Sequence, residues 1–120
     1  MTRSDFKDAL YDAFAQAGKA LASGRRVEIL ELLAQGPRTV EALAREARLS
    51  IANASQHLQV LKASGLVVST KEGLHVTYQL AGPEVADFLL AFRRLAERRL
   101  AAIERLAQDF FAQAPEPMAL

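Results

Sequence analysis

Apolar side chains recur every three or four residues at the beginning of the chain, which is the spacing of one face of an α-helix. Ser4 is a suitable N-cap for this segment, and Asp5 and Asp8 place negative charge near its positive end. The pattern predicts an amphipathic helix that runs to about Ala22. Its apolar positions are Phe6, Leu10, Phe14, Ala17 and Leu21.

A second and a third helix are predicted by their boundaries. Ser23-Gly24 begins a helix over residues 25–35, and Gly36-Pro37 ends it because proline cannot continue a helix. Thr39 then caps a short third helix.

The fourth predicted helix is capped by Ser50, runs to Ser64 and stops at Gly65. A tight turn at Arg48-Leu49 separates it from the third helix. Two short helices joined by a few residues form the helix-turn-helix layout.

Two segments after the fourth helix are rich in β-branched residues, and apolar and polar side chains alternate in the second. The first strand is predicted over residues 66–70 and the second over residues 74–80. The glycine-containing segment 71–73 between them predicts a β-hairpin.

Pro83 stands at the entrance of a long last helix, which is predicted over residues 84–112. At about 1.5 Å per residue it approaches 40 Å in length. An apolar stripe of this length usually marks a partner surface, so we expect the first and last helices of two copies to pair across a two-fold axis. A ligand pocket lined by the phenylalanines is the less common alternative. The predicted dimer interface consists of Phe6, Leu10, Phe14, Phe88, Phe92, Leu95, Ile103, Leu106 and Phe110.

Composition restricts the class of protein. A chain of 120 residues with 51% hydrophobic content suits one domain with a modest core. The chain has no run of about 18 apolar residues and no signal peptide, so we expect a cytoplasmic protein. The absence of cysteine excludes disulfides and thiolate metal sites. The net charge of +1 supports nucleic-acid binding only weakly, so the distribution of charge matters more.

The fourth helix has an outer face of small and amide side chains, where a surface helix usually carries charges. A rotation of about 100° per residue places Ala54, Leu58 and Leu61 on the core side. Residues 49–64 contain no carboxylate. Glutamine and asparagine can form paired hydrogen bonds with adenine in the major groove of DNA, whereas a merely polar helix in a bundle is the alternative. The outer and flanking positions are Ala52, Asn53, Ser55, Gln56, Gln59, Val60, Lys62 and Ala63.

Other chemistry has little support. His57 and His75 are the only histidines, and a zinc site needs about four ligands, so we predict no metal and no cofactor. Ser55 and His57 lie about 200° apart around the helix and cannot form a nucleophile–base pair, so no enzyme is predicted. The arginine pairs of the last helix are balanced by nearby acids. Better candidates for phosphate contacts are Arg25, Arg26, Arg45 and Lys62.

Three segments resemble the ArsR/SmtB (arsenic-repressor) family in their order along the chain. Residues 49–67 are similar to its recognition helix, with the pattern L-S-x5-S-x-H-L-x-x-L-x-x-x-G-L-V. Residues 19–30 are similar to its K-A-L-A-x-x-x-R-x-x-I-L segment, and residues 72–80 to its wing. The resemblance implies a dimeric repressor that binds an inverted-repeat operator and leaves DNA when a signal arrives.

Departures of two kinds, in the metal ligands and in the wing, limit what the resemblance implies. The cysteine pair of the family's metal sensors has no counterpart in residues 38–43, and the last helix has no histidine with which to bind zinc. Metal sensing is therefore not expected of this chain. The wing carries Leu74 where the family often has a basic residue, which leaves Lys71 as its main cationic contact.

We therefore predict a mainly α fold with a small β-hairpin, a winged helix-turn-helix with long N- and C-terminal dimerisation helices. Residues 1–112 form the DNA-binding and dimerisation domain, and residues 113–120 form a tail or linker. Double-stranded DNA and a second copy are the predicted partners, with no membrane. Base edges are contacted by Ala52, Asn53, Ser55, Gln56 and Gln59. Ser50, Lys62, Lys71 and His75 contact phosphates or the wing groove, and His57 packs between helices or contacts DNA.

A sensory or dimerisation module of a longer protein is the alternative function. Residues 114–118 resemble the linker by which some family members continue into a rhodanese-like sulfurtransferase domain. In that case the missing cysteine chemistry belongs to the other domain.

Overall fold

The computed structural model describes residues 1–113, which form five helices and a three-stranded antiparallel sheet. The predicted mainly α fold with a winged helix-turn-helix order is confirmed. The predicted tail, apart from Gln113, lies outside the described residues. The elements are α1 (Arg3–Ala20), α2 (Gly24–Ala34), β1 (Arg38–Thr39), α3 (Val40–Ala47), α4 (Ile51–Ala63), β2 (Val67–Glu72), β3 (His75–Leu80) and α5 (Pro83–Gln113).

Helix α1 begins at a different cap from the one predicted. Thr2, and not Ser4, is the N-cap: its hydroxyl accepts a hydrogen bond from the amide of Asp5 at 3.1 Å, and the Asp5 carboxylate accepts one from the amide of Thr2 at 3.1 Å. This reciprocal capping box needs an acceptor three residues after the cap. Asp5 supplies it for Thr2, whereas Lys7 would stand at that place for Ser4.

The caps predicted for the next three helices are confirmed. The hydroxyls of Ser23, Thr39 and Ser50 each accept a hydrogen bond from the amide three residues later, at 3.3, 3.2 and 3.0 Å. Between α3 and α4 the chain turns at Arg48, whose φ of 57° and ψ of 47° are left-handed. This turn sets the angle between the two helices of the helix-turn-helix.

The core of residues 1–86 is assembled from α2, α3, α4 and the sheet. Full burial of each of these larger apolar side chains stabilises the fold by about 1.5–3 kcal/mol. The buried set is Ile29, Leu30, Leu33, Leu43, Ala44, Ala47, Ala54, Leu58, Leu61, Val67 and Tyr78.

The sheet differs from the predicted hairpin in two ways. Strand β1 pairs with β3, with Arg38 opposite Tyr78, so the order is β1-β3-β2. Strand β2 extends to Glu72, which pairs with His75, and the turn is therefore Gly73-Leu74 and not residues 71–73. The φ of 61° at Gly73 is the positive value that a two-residue hairpin turn requires at its first position.

The described residues divide into two compact units, residues 1–86 and residues 87–113. The described part of the second unit is the helix from residue 87 to residue 113. Its Arg93 and Glu97 form an ion pair at 3.3 Å across one turn, with both side chains exposed, which agrees with the predicted balance of charges on this helix. No helix within residues 1–113 is long and apolar enough to cross a membrane.

Candidate nucleic-acid interface

Helix α4 is fixed to the domain by one apolar face. Ala54, Leu58 and Leu61 are completely buried, as the helical rotation predicted. Ser50 caps the beginning of the helix, and Gly65, with a φ of 75°, allows the chain to leave its end. The opposite face is therefore held in a defined orientation toward solvent.

That outer face consists of Ala52, Asn53, Gln56 and Gln59, all exposed, with Ser55 half-buried beside them. Within residues 1–113, the side chains of Asn53, Gln56 and Gln59 form no hydrogen bond. Their amides present free donors and acceptors on a surface without a carboxylate. Such a surface suits the base edges of a major groove about 12 Å wide.

The wing, which consists of β2, β3 and their turn, is tied to the end of α4. Lys62 donates a hydrogen bond from Nζ to Oγ of Ser69 in β2 at 2.8 Å. Lys62 thus joins the helix and the wing while its side chain stays exposed. Lys71 and His75 lie exposed on the wing, and Leu74 at its tip is 96% exposed.

The two adjacent arginines of α2 both form hydrogen bonds within the domain, Arg26 from a half-buried position and Arg25 from an exposed one. Arg26 donates hydrogen bonds to the carbonyls of Ala20 and Lys19, and its Nη1 lies 3.5 Å from Nδ1 of His57. This contact supports helix packing for His57, which is half-buried. It also draws Arg26 away from the phosphate contact that the sequence suggested. Arg25 contacts Glu28 and the carbonyl of Ala47.

Residues of the predicted dimer interface lie on surfaces that are open in the single chain. On α1, Phe6 and Phe14 are 62% and 60% exposed, and Leu10 is also exposed. On α5, Phe92 is half-buried and stacks on Phe88 at a centroid distance of 5.7 Å. Exposed positions on the same helix are Phe88, Leu95, Ile103, Leu106 and Phe110.

Sequence reasoning missed the contacts that join distant positions. Ser69 was not singled out, although its hydroxyl accepts the Lys62 hydrogen bond. Arg26 and His57, whose side chains meet in the structure, lie 31 residues apart in the sequence. No local pattern signals such pairs, because caps and periodicity report on neighbours along the chain.

Among residues 1–113 no group of three or more His, Cys, Asp or Glu side chains could hold a metal ion.

Comparison of this chain with known proteins identifies its relatives among bacterial transcriptional regulators. The family model described as "Bacterial regulatory protein, arsR family" matches residues 23–69, which include the helix-turn-helix and the start of the wing. The chain is 45% identical over 107 residues to the HTH-type transcriptional regulator Rv0324 of Mycobacterium tuberculosis, covering 89% of this chain and 47% of that protein. It therefore spans about half the length of this relative.

A second relative is matched over nearly its whole length. The protein named "Uncharacterized HTH-type transcriptional regulator Rv0081" of Mycobacterium tuberculosis is 36% identical over 104 residues, which are 82% of this chain and 91% of that protein. The solution structure of the homodimeric winged helix-turn-helix DNA-binding domain (fragment 1–100) of Mb0332 from Mycobacterium bovis, described as a possible ArsR-family transcriptional regulator, superposes with a TM-score of 0.77. It is 46% identical and covers 82% of this chain and 91% of that one. These names give no support to the sulfurtransferase alternative.

Proposed function

The chain belongs to the arsR family of bacterial regulatory proteins, and we propose that it is a repressor that binds an inverted-repeat DNA operator as a homodimer. The observation that carries this proposal is the outer face of α4, which is exposed, free of carboxylates and rich in amides without partners in residues 1–113. The homodimeric state of the Mb0332 domain supports the same assembly here. A repressor of this kind acts on the chromosome, so the proposal also implies a protein of the bacterial cytoplasm that acts by binding DNA and not by enzymatic activity.

In this mechanism α4 enters the major groove with its outer face toward the bases. The amides of Asn53, Gln56 and Gln59 offer the paired donor and acceptor that match N6 and N7 of adenine. Ala52 and Ser55 are small enough to allow close approach, and an alanine methyl can contact the methyl of thymine.

Contacts with the sugar–phosphate backbone come from the ends of α4 and from the wing. Lys62, at the end of α4, brings a positive charge beside its hydrogen bond to Ser69. Lys71 and His75 bring donors on the wing, and Ser50 stands at the positive end of α4. These contacts set the register of the protein on the duplex and give no sequence information directly.

Dimerisation supplies the second recognition helix. The apolar faces of α1 and α5 are exposed in the single chain, and a second copy would cover them. Two-fold symmetry then places two copies of α4 about 34–36 Å apart, which is one turn of B-DNA. A two-fold protein therefore selects an inverted repeat.

The proposal is tested by selecting duplexes from a random library with the purified protein and sequencing those retained. We expect an inverted repeat whose half-sites are separated by one helical turn or a multiple of it. Affinity for the selected duplex should fall steeply with salt, because bound phosphates release counterions. Recovery of unrelated sequences without any repeat would contradict the proposal.

A further inference from the structure

One guanidinium group joins three helices of the first unit. Arg26 lies in the first turn of α2, where its amide donates to the capping hydroxyl of Ser23 at 3.3 Å. Its Nε donates to the carbonyl of Ala20 at 2.6 Å and its Nη2 to the carbonyl of Lys19 at 3.0 Å. Its Nη1 lies 3.5 Å from Nδ1 of His57 in α4.

The bonds to α1 stabilise the end of that helix. The last carbonyls of a helix lack partners within the helix, and a positive charge beside them is favourable. Arg26 supplies both a donor and a charge to the carbonyls of Lys19 and Ala20. Ala20 is only 1% exposed, so its side chain is packed against the domain where this bond forms.

The contact between Arg26 and α4 determines which ring nitrogen of His57, a residue beside the outer face, carries the proton. A guanidinium has donors and no acceptor, so the hydrogen bond requires Nδ1 of His57 to accept it and the ring proton to lie on Nε2. His57 stands between exposed Gln56 and buried Leu58. His57 therefore lies at the border between the outer face of α4 and its buried face, where a contact from α2 reaches the helix that carries the outer face.

We propose that Arg26 is a positioning residue that couples the C-terminal end of α1 to the orientation of α4. This inference rests on the proposed function, because the orientation of α4 matters only if its outer face reads DNA. It deepens that function: α1 carries Phe6 and Phe14, which are proposed to contact the second copy. Contacts made by α1 in the dimer thereby reach the side chains that read the bases.

A double-mutant cycle tests the coupling. The probe is a duplex selected by the wild-type protein from a random library, and the readout is its dissociation constant. Arg26→Gln and His57→Leu should each weaken binding about fivefold to tenfold. The double variant should bind within about twofold of the weaker single variant, because both changes remove the same contact.

Arg25→Gln is the matched control. It removes an equal charge at the adjacent position, and Arg25 contacts Glu28 and the carbonyl of Ala47 in place of His57. Its effect on duplex binding should multiply with that of His57→Leu, since distinct contacts add in free energy. Multiplicative behaviour of Arg26→Gln with His57→Leu as well would overturn the proposal.

Two readouts separate positioning from a general effect on folding. His57→Asn places an amide oxygen near the position of Nδ1, so it should bind more tightly than His57→Leu when Arg26 is present and equally when Arg26 is Gln. In nitrogen NMR spectra, the wild-type imidazole should carry its proton on Nε2, and Arg26→Gln should change the Nδ1 signal.

The outcomes distinguish this inference from the proposed function. If the wild-type protein selects no sequence, the proposed function fails. If it selects an operator but His57→Asn binds no better than His57→Leu in the presence of Arg26, the coupling fails alone. The second comparison keeps Arg26 intact, so it decides the matter even if Arg26→Gln unfolds the domain.

Discussion

Gln56 lies in the middle of the exposed face of α4, and its side chain has no hydrogen bond within residues 1–113. Its surroundings therefore do not depend on the amide, and removal of the amide should leave the fold intact. If the amide pairs with a base, its loss leaves that base edge unsatisfied. A change at this residue therefore tests reading separately from folding.

Gln56→Ala should weaken binding to the selected duplex by about 1–3 kcal/mol and relax the preference at one base pair in each half-site. Fluorescence anisotropy on the selected duplex and on single-base variants measures both effects. Gln35→Ala is the matched control, since Gln35 is an exposed glutamine at the end of α2 and does not belong to α4. Unchanged operator preference in Gln56→Ala would show that the reading face is misplaced.

Asp5 gives a prediction about pH. The hydrogen bond from the Thr2 amide to the Asp5 carboxylate lowers the pKa of Asp5 in the folded state. The interaction of this carboxylate with the Thr2 hydroxyl lowers the pKa further, by a smaller amount. A lowered folded pKa means that its stabilising contribution is complete above the unfolded pKa and disappears as pH falls through the folded pKa. Amide hydrogen exchange in the first turn of α1 should therefore lose protection in acid, and Asp5→Ala should show low protection at every pH.

At the scale of elements, the wing carries little positive charge for a surface that is proposed to contact DNA. Leu74 at its tip is 96% exposed, and Lys71 is the cation nearest to it along β2. A wing with one lysine makes few contacts with phosphate, and each neutralised phosphate adds about 0.9 to the salt slope of binding to B-DNA. The wing of this protein should therefore contribute weakly to affinity and can be strengthened.

Leu74→Arg should raise the affinity for all duplexes and increase the salt slope of binding by about one. Lys71→Ala should lower the affinity for all duplexes and decrease the salt slope. The measurement is the dissociation constant across a series of salt concentrations, on the selected duplex and on a scrambled one. Leu74→Gln controls for the loss of the leucine. A slope that responds to neither charge change would place the wing away from DNA.

Most elements were predicted because their signals are local. Caps such as Thr39 and Ser50, the glycine after α4 and the buried positions of α4 depend on residues a few places apart. Strand β1 was missed because two residues are too few to show alternation, and it becomes a strand only by pairing with β3. The hairpin turn was predicted two residues too early, because Lys71 and Glu72 were assigned to the turn, whereas in the structure they continue β2.

The candidate site divides in the same way. Its outer face follows from helical rotation about buried Ala54 and Leu58, so the sequence was sufficient. Its supports, Arg26 beside His57 and Lys62 bonded to Ser69, depend on how separate elements meet. Arg26 looked like a surface cation from its sequence position. Its bonds to the end of α1 are visible only when the turn between α1 and α2 is formed.

At the scale of the whole molecule, the proposed dimer depends on apolar side chains that are exposed in one copy. Phe14 is 60% exposed and contacts Tyr11 edge-on at 5.8 Å within the same helix. It therefore contributes little to the core of its own chain. In a two-fold interface each substitution occurs twice, and burial of a phenylalanine contributes about 1.5–3 kcal/mol per copy.

Phe14→Ser should therefore weaken dimerisation by about 3–6 kcal/mol while leaving each chain folded. Sedimentation equilibrium measures the dimer dissociation constant, and circular dichroism checks the fold. Leu74→Ser removes an even more exposed apolar side chain from the wing, outside the predicted interface, and should leave dimerisation unchanged. An unaltered dimer in Phe14→Ser would exclude this face of α1 from the interface.

The same variant links assembly to DNA reading. A dimer bound to an inverted repeat should lose most of its affinity when about five base pairs are inserted between the half-sites, because the second half-site then faces the opposite side of the duplex. The Phe14→Ser monomer has one α4, so it should bind weakly and respond little to the insertion. Gel-shift titrations of both proteins on both duplexes give this comparison. Wild-type binding that ignores the insertion would mean that the two recognition helices are not held by a rigid two-fold dimer.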